Sequence, residues 1–533
     1  MISYFPVAAR GVLRATTALV ISLVLAAPAF AQSTAFTRSL AESASQDETL
    51  AQFYRENGYE TVWTGAKDAS RRQALLTALA TASDQGLPVA RYDARALVVA
   101  AQSAVTEGDR GRLEVAFAKA YLSYATDLAS GALTPSKVTS GIVREITRPK
   151  PEDLLQAIVT SERPFTYLRG LAPKAPEYAM LVKAKLAIES EPVRDTEITA
   201  SKLKPGDSGA GVIALRDRLL ELGYLDRSTA AQYTPQIRQA VQRFQLDQRI
   251  VADGVASGST ITALNETARD RLKSITVALE RMRWMGDVDL GARHIWVNQP
   301  TFVANIVDEG RVTFETRVVI GKNSKDQESP EFSDVMEYMV VNPSWGVPRS
   351  ITVKEYLPLL QRNRNAVGHL QVVDGSGRVV PRGAVNFASY SASSFPFALR
   401  QPPSDGNALG LVKFMFPNTH NIYLHDTPAK SLFANEVRAY SHGCIRLNDP
   451  FDFAYALLAK QSADPKGEFQ ATLDSKRETS VSLKVPVPVH LVYYTAWPSK
   501  KGAMGYRPDI YGRDGALFDA LTDAGVVLGG VQG

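Results

Sequence analysis

The residues that could do chemistry in this chain gather in AYSHGCIRLND, residues 439–449, which holds Cys444, the one cysteine among 533 residues. A thiol with an ordinary pKa of about 8.5 is only a few per cent thiolate at neutral pH, so a nucleophile needs a base or a positive field beside it. His442 stands two residues before Cys444, His425 stands 444 − 425 = 19 residues before it, and Arg446 follows two residues after. The two histidines are not equivalent. His425 closes the apolar run NIYLH, and the excursion DTPAKSLFANEVRAY returns the chain to the cysteine, which can bring both side chains to the rim of one sheet. His442 lies inside the tight turn Ser441-His442-Gly443-Cys444, where alternate side chains often diverge. The spacing favours His425 for proton transfer and leaves His442 to shape the site. Gly443 lets a substrate approach the backbone. The N–H groups of 443–445 are candidate oxyanion donors, and Arg446 can hold an anionic group or steady a thiolate.

Three rival readings weigh against a nucleophile. Zinc would use His425, His442 and Cys444, but a structural site wants four ligands, usually several cysteines, and no fourth is evident; no metal is expected. A buried inert thiol is common for free cysteine, but two histidines, a glycine and an arginine around it disfavour that. A papain-like peptidase has its cysteine first and its histidine far downstream. Here the histidines come first.

The elements that position these residues follow from periodicity. RHIWVNQP, TFVANIVD, VTFETRVVIG, MEYMVVNP and HNIYLHD read as strands bounded by Asn, Gly, Pro and Asp. Helices interrupt them near 350–361 and 450–460, the second with Asn448 or Asp449 as cap and Pro450 in its first turn. The result is a β-rich, sandwich-like domain with the cysteine just before a helix. Upstream, DETLAQFYRENG, SRRQALLTALATASDQG and LEVAFAKAYLSYATDLASG repeat apolar residues every three or four positions and end at glycine, so 34–190 reads as helical. A polar tract at 189–211 reads as a linker. Three short helices then fit into about 60 residues, the second opening on Thr234 and Pro235 with Ile237, Val241 and Phe244 along one face.

Composition bounds the class. Hydrophobic residues make up 45% and charged residues 22%, which is ordinary for globular protein. The first 31 residues have a basic start at Arg10 and Arg14, an apolar core and Ala29-Phe30-Ala31, the pattern of a secretory leader. Its removal would take the net charge from +5 to 5 − 2 = +3, too little to suggest nucleic acid. In an exported chain a lone thiol has no intramolecular disulfide partner, which sharpens the question of its task.

Two resemblances then appear. Arg216…Leu219-Leu220…Leu222-Gly223-Tyr224-Leu225, Ala240-Val241…Phe244-Gln245 and Thr260…Ala263-Leu264-Asn265 resemble a small three-helix peptidoglycan-binding domain over 203–265. YLHDTPAKSLFANEVRAYSHGCIRL resembles the signature of the L,D-transpeptidase (YkuD-type) catalytic domain. VVNPSWGVPRSITVKEYLP, NALGLVKFMFPN and VHLVYYTAWPSKKGAMGYRPDIYGRD are similar to its large periplasmic subclass, though RQPPSDGNALG departs from the usual Gln-x-Pro-Gly approach. The resemblance implies a multidomain α+β protein: signal peptide 1–31, helical scaffold 32–190, peptidoglycan-binding-like domain 203–265, connecting helix 266–290, catalytic domain 291–465 with a substrate lid near 350–407, and a C-terminal segment 466–533 packing on scaffold and catalytic domain.

It also implies roles. Cys444 is the nucleophile, His425 the general acid/base, and Ser441, His442, Gly443 and Arg446 complete the motif; Tyr423, Trp345 and Asn407 are candidate cleft walls. The expected reaction is a 3→3 cross-link between a donor stem tetrapeptide and an acceptor stem, through a cysteine thioester with release of D-alanine. No cofactor is needed. Expected partners are peptidoglycan stems, glycan strands through 203–265 and other cell-wall enzymes, in the periplasm, with sensitivity to carbapenems. Hydrolysis, D-amino-acid exchange or attachment of an envelope protein would use the same acyl-enzyme. A wall-binding scaffold with an inert site is the alternative of another class.

Overall fold

Helical periodicity in the first third of the chain yields the expected helices, including Glu48–Glu56, Ala69–Ala80 and Glu107–Ser130. They pack around Trp63, Phe117, Tyr121 and Leu155. A buried carboxylate ties them together: Glu114 accepts from the backbone N–H groups of Val62, Trp63 and Thr64 at 2.6, 3.0 and 2.9 Å and from the Tyr54 hydroxyl at 3.1 Å. So many donors satisfy a charge that burial would otherwise penalise. The computed structural model of this chain describes residues 34–190, 196–286, 288–498 and 503–529. The expected leader, 1–31, lies outside the described residues.

The small unit that follows has helices at Ala210–Glu221, Pro235–Asp247 and Ser259–Leu264 around Leu215, Leu219, Ile237, Val241 and Phe244. Thr234 caps the second helix by accepting from Ile237 N at 3.3 Å, with Pro235 in its first turn. The helix Ala268–Met285 then runs between scaffold and sheet, buried on every side from Ile275 onward. Its charged residues are paired inside: Arg283 bonds Glu280 at 2.8 Å, and Arg281 bonds Glu331 and Asp514 at 3.2 and 2.5 Å.

Among the described residues nine strands build the main sheet. In chain order they are β1 (Arg293–Asn298), β2 (Val303–Asp308), β3 (Arg311–Gly321), β4 (Phe332–Val341), β5 (Val412–Met415), β6 (Leu424–His425), β7 (Ala439–Ser441), β8 (Ile445–Leu447) and β9 (Thr479–Val492). Their spatial order is 7-3-8-6-5-4-9-1-2, and β2 pairs back onto β3, so the sheet curls on itself. One face carries the apolar core, with Ile320, Met339, Val412, Phe414, Leu424, Ile445 and Leu447 against Phe453 and Leu457 of the helix Pro450–Leu458. The boundary expected at 465 needs correction, because β9 lies in the middle of this sheet between β4 and β1. Only the helix Arg513–Asp523 and the hairpin before it act as a C-terminal tail, packing against the central helix through Leu517 and Leu521.

Between β4 and β5 the chain leaves the sheet and forms a separate small layer. Trp345–Gly346, Ala398–Gln401, Gln371–Val373 and Val379–Val380 pair in that order, over a core of Ile351, Leu357, Val372, Phe387 and Phe395. This is the segment read from sequence as a lid. Its helix is α-helical at both ends and widens to a π-turn at Thr352–Tyr356.

Candidate active site

Strand pairing decides which side chains meet. On adjacent strands Lys413 of β5 is directly opposite His425 of β6, and His425 is directly opposite Arg446 of β8. Side chains two apart on a strand share a face, so Tyr423 and Cys444 join the same row from one step along. Leu424 and Ile445 take the opposite face and sit in the core. Cys444 and His425 are therefore diagonal neighbours on the sheet face beneath the small layer, a spacing that side chains can bridge.

The turn that presents Cys444 is held from three sides. Gly443 has φ +109°, and a Cβ there would meet Ile422 Cδ1 at 3.1 Å. Ser441 Oγ accepts from Gly443 N at 3.1 Å and donates to the Cys444 carbonyl at 2.5 Å. Ser329, fully buried, accepts from Gly321 N at 2.9 Å and donates to the Gly443 carbonyl at 2.6 Å. Behind it, Tyr511 donates to the Gly321 carbonyl at 2.7 Å, and Arg513 donates to the Ser329 carbonyl at 2.8 Å. Of the three N–H groups expected as oxyanion donors, Gly443 N is spent on Ser441 and Ile445 N on the Tyr423 carbonyl at 3.1 Å. Among the described residues Cys444 N–H alone of the three has no partner. The expectation narrows to that one donor.

The electrostatics differ from a preformed ion pair. The thiol is half-buried by its exposed surface, yet protein atoms crowd the sulfur, and this desolvation pushes its pKa up to about 11. The Tyr423 N–H, the Tyr423 hydroxyl and Arg446 pull the other way without offsetting it. His425 is 4% exposed, and burial, then the nearby Arg446 and Lys413 charges, bring it down to about 3 against the opposing backbone bonds. Its Nδ1 bonds the Asp426 carbonyl, which can only accept, so the ring proton sits on Nδ1 and Nε2 keeps its lone pair. At rest the pair is neutral thiol and neutral imidazole.

The other expected residues fall in place unequally. His442 is committed to the small layer: its Nε2 donates to Glu355 of the π-turn at 2.7 Å, joining that layer to the cysteine turn. Tyr423 bridges both cores, and its hydroxyl is in hydrogen-bond reach of Cys444 and of the Trp345 indole. Asn407 is not a cleft wall. It has no exposed surface, and its carboxamide is spent on the carbonyls of Pro343 and Pro402 at 3.1 and 3.0 Å and on Leu409 N at 2.9 Å, fastening its loop. Sequence reasoning did not single out Ser329 or Lys413. Among the described residues no group of three or more His, Cys, Asp or Glu could hold a metal ion.

Comparison with known proteins adds the following. Family models match a "Scaffold domain" at 48–184, a "Putative peptidoglycan binding domain" at 208–264 and an L,D-transpeptidase catalytic domain at 292–470. A Haemophilus influenzae protein named "Putative L,D-transpeptidase" is 32% identical over 244 residues, 45% of this chain and 48% of that protein. The chain thus spans about half the length of the curated relative it matches. The crystal structure of the L,D-transpeptidase (residues 123–326) from Xylanimonas cellulosilytica covers 55% of this chain and 98% of its own, at 14% identity and a TM-score of 0.17. A fused Zn-dependent amidase/peptidase/peptidoglycan-binding protein from Clostridium acetobutylicum covers 54% and 98%, at 13% identity and a TM-score of 0.16. Likenesses that low carry no argument.

Proposed function

This chain carries an L,D-transpeptidase catalytic domain, a peptidoglycan-binding domain and a scaffold domain, and from that premise we propose that it cross-links peptidoglycan stem peptides in the cell envelope through a thioester on Cys444. The observation that carries the reading is the site itself. The chain's one thiol shares a sheet face with a buried, neutral histidine, and among the described residues its own N–H is without a partner.

The chemistry follows from those groups. With a donor tetrapeptide bound, His425 Nε2 takes the Cys444 proton as sulfur attacks the carbonyl of the third residue. The Cys444 N–H faces the developing oxyanion. The carbon–nitrogen bond to the terminal D-alanine breaks, and His425 returns the proton to the leaving amine. A side-chain amine of a second stem then attacks the thioester, loses its proton to His425, and the carbon–sulfur bond breaks. Cys444 recovers that proton, leaving a 3→3 cross-link. The thioester conserves the energy of the cleaved amide, so no ATP is needed outside the cytoplasm.

Product analysis tests this. The protein incubated with tetrapeptide donor and a separate acceptor stem should yield a cross-linked dimer and free D-alanine. Tripeptide without dimer would instead make water the acceptor and the protein a carboxypeptidase. No product of either kind would leave the wall-binding scaffold as the reading.

A further inference from the structure

His425 is bracketed by two cations. Lys413 and Arg446 occupy the register positions on either side of it, on the same sheet face, and both charges are near enough to depress its basicity. Among the described residues neither side chain makes a hydrogen bond or a contact ion pair, and Arg446 Nε is buried with no partner. Glu478 acts on Lys413 through space and partly offsets its burial, but its oxygens accept from Ser344, whose N lies at 3.0 Å, and not from the lysine. Of the neighbouring acids, Asp426 takes Leu411 N at 2.9 Å and Lys430 at 2.8 Å, and Glu355 holds His442. Burial lowers the pKa of both cations, as expected when charge is desolvated without full compensation. Two half-buried cations without a contact partner, one on each side of a neutral histidine, cost stability unless an anion arrives.

We propose that Lys413 and Arg446 form a carboxylate clamp across His425 that takes the terminal carboxylate of the donor peptide. This deepens the acyl-transfer reading above and rests on it. The stereochemistry selects that carboxylate. His425 must protonate the leaving D-alanine nitrogen, and the D-alanine carboxylate is only two bonds from that nitrogen, so it lands on the neighbours of His425. The clamp defines the donor as a peptide that ends one residue past the attacked carbonyl. A longer stem carries an amide at that place and offers no anion. Binding also strengthens the base: burial does most to depress His425, and a carboxylate between the two cations offsets the part that their charges add, so the ring gains basicity when the correct donor is seated. The resting neutral pair and the substrate-bound acid/base are thereby linked.

Two measurements test the clamp on the full chain. The first is Cys444 acylation by tetrapeptide free acid against the same tetrapeptide as its C-terminal amide. The wild type should favour the acid in kcat/KM on the order of 10–100-fold, the range for losing a charged hydrogen-bond partner. Lys413→Met should collapse that ratio towards one, and Lys413→Arg should restore most of it. Equal use of both donors by the wild type, or an equal loss on both in Lys413→Met, overturns the clamp while leaving acyl transfer standing. The second needs no peptide. Iodoacetate and iodoacetamide differ only in charge, and the acetate-to-acetamide rate ratio at Cys444 should exceed that of free cysteine and fall to it in Lys413→Met. A ratio equal to that of free cysteine in the wild type overturns the clamp. Failure of acylation by any donor, with the alkylation ratio raised as expected, would instead sink the transpeptidase reading and keep the anion site.

Discussion

Ser329 Oγ donates to the Gly443 carbonyl at 2.6 Å, and this bond fixes which way the Gly443–Cys444 peptide faces. A trans peptide points its C=O and N–H in opposite directions. Pinning the Gly443 oxygen on the buried side therefore turns the Cys444 N–H outward, where an oxyanion would form. Ser329→Ala removes the donor and also orphans Gly321 N–H, a loss of about 1–3 kcal/mol for each buried group left unpaired. The expected result is a fall in kcat for acylation of tenfold or more with a smaller change in KM. A lowered Tm with kcat intact would reduce Ser329 to packing.

The resting charge state makes a second prediction. With its pKa near 11, Cys444 is thiolate in only about one molecule in ten thousand at pH 7. Alkylation by neutral iodoacetamide should rise about tenfold per pH unit from 7 to 10. A preformed thiolate–imidazolium pair would give a flat profile there.

The contact between His442 and Glu355 joins the small layer to the cysteine turn but is partly exposed, so it contributes little to stability. Glu355→Gln should leave Tm within a degree or two and speed hydrogen exchange over 349–362, around the π-turn. Unchanged exchange would show that the other ties, such as Lys354 to Asp326 at 2.8 Å and the apolar contacts with Tyr423, hold the layer without this one.

Two buried histidines predict how acid affects the fold. Burial lowers His425 to about 3 and His490 to about 4, from an ordinary 6.5. The unfolded chain takes up these protons below about 6.5 while the folded one resists, so stability falls as pH drops from 6.5 towards 4. His490 ceases to contribute below about 4 and His425 below about 3. His490 accepts from Ser333 Oγ at 2.7 Å and donates to the Leu290 carbonyl at 3.1 Å, as only the neutral ring can. Thermal unfolding of His490→Gln should show a flatter pH dependence between 6.5 and 4. An unaltered slope would remove His490 from the account.

Sequence made the cysteine's face legible because β6 and β8 are short and their motif is local: NIYLH and SHGCIR carry their alternation in few residues. What it could not show was adjacency. Lys413 sits in an ordinary alternating strand, and only pairing reveals that this strand borders His425. Ser329 is one serine in a loop, distant in sequence from the turn it holds. β9 was hidden by Pro486 and Pro488, which argue against a central strand. The sheet accommodates them with a register shift between Ser482 and Val487. Asn407 lay in a stretch similar to the family, but a resemblance does not tell a ligand contact from a loop fastener.

The central claim is a thioester on Cys444, and intact-protein mass spectrometry after mixing with synthetic stem tetrapeptide measures it most directly. The account predicts a mass increase equal to the tetrapeptide minus D-alanine on wild type, released by hydroxylamine, absent in Cys444→Ala and slowed at least a hundredfold in His425→Asn. No adduct on the folded wild-type chain, or the same adduct on Cys444→Ala, would contradict it.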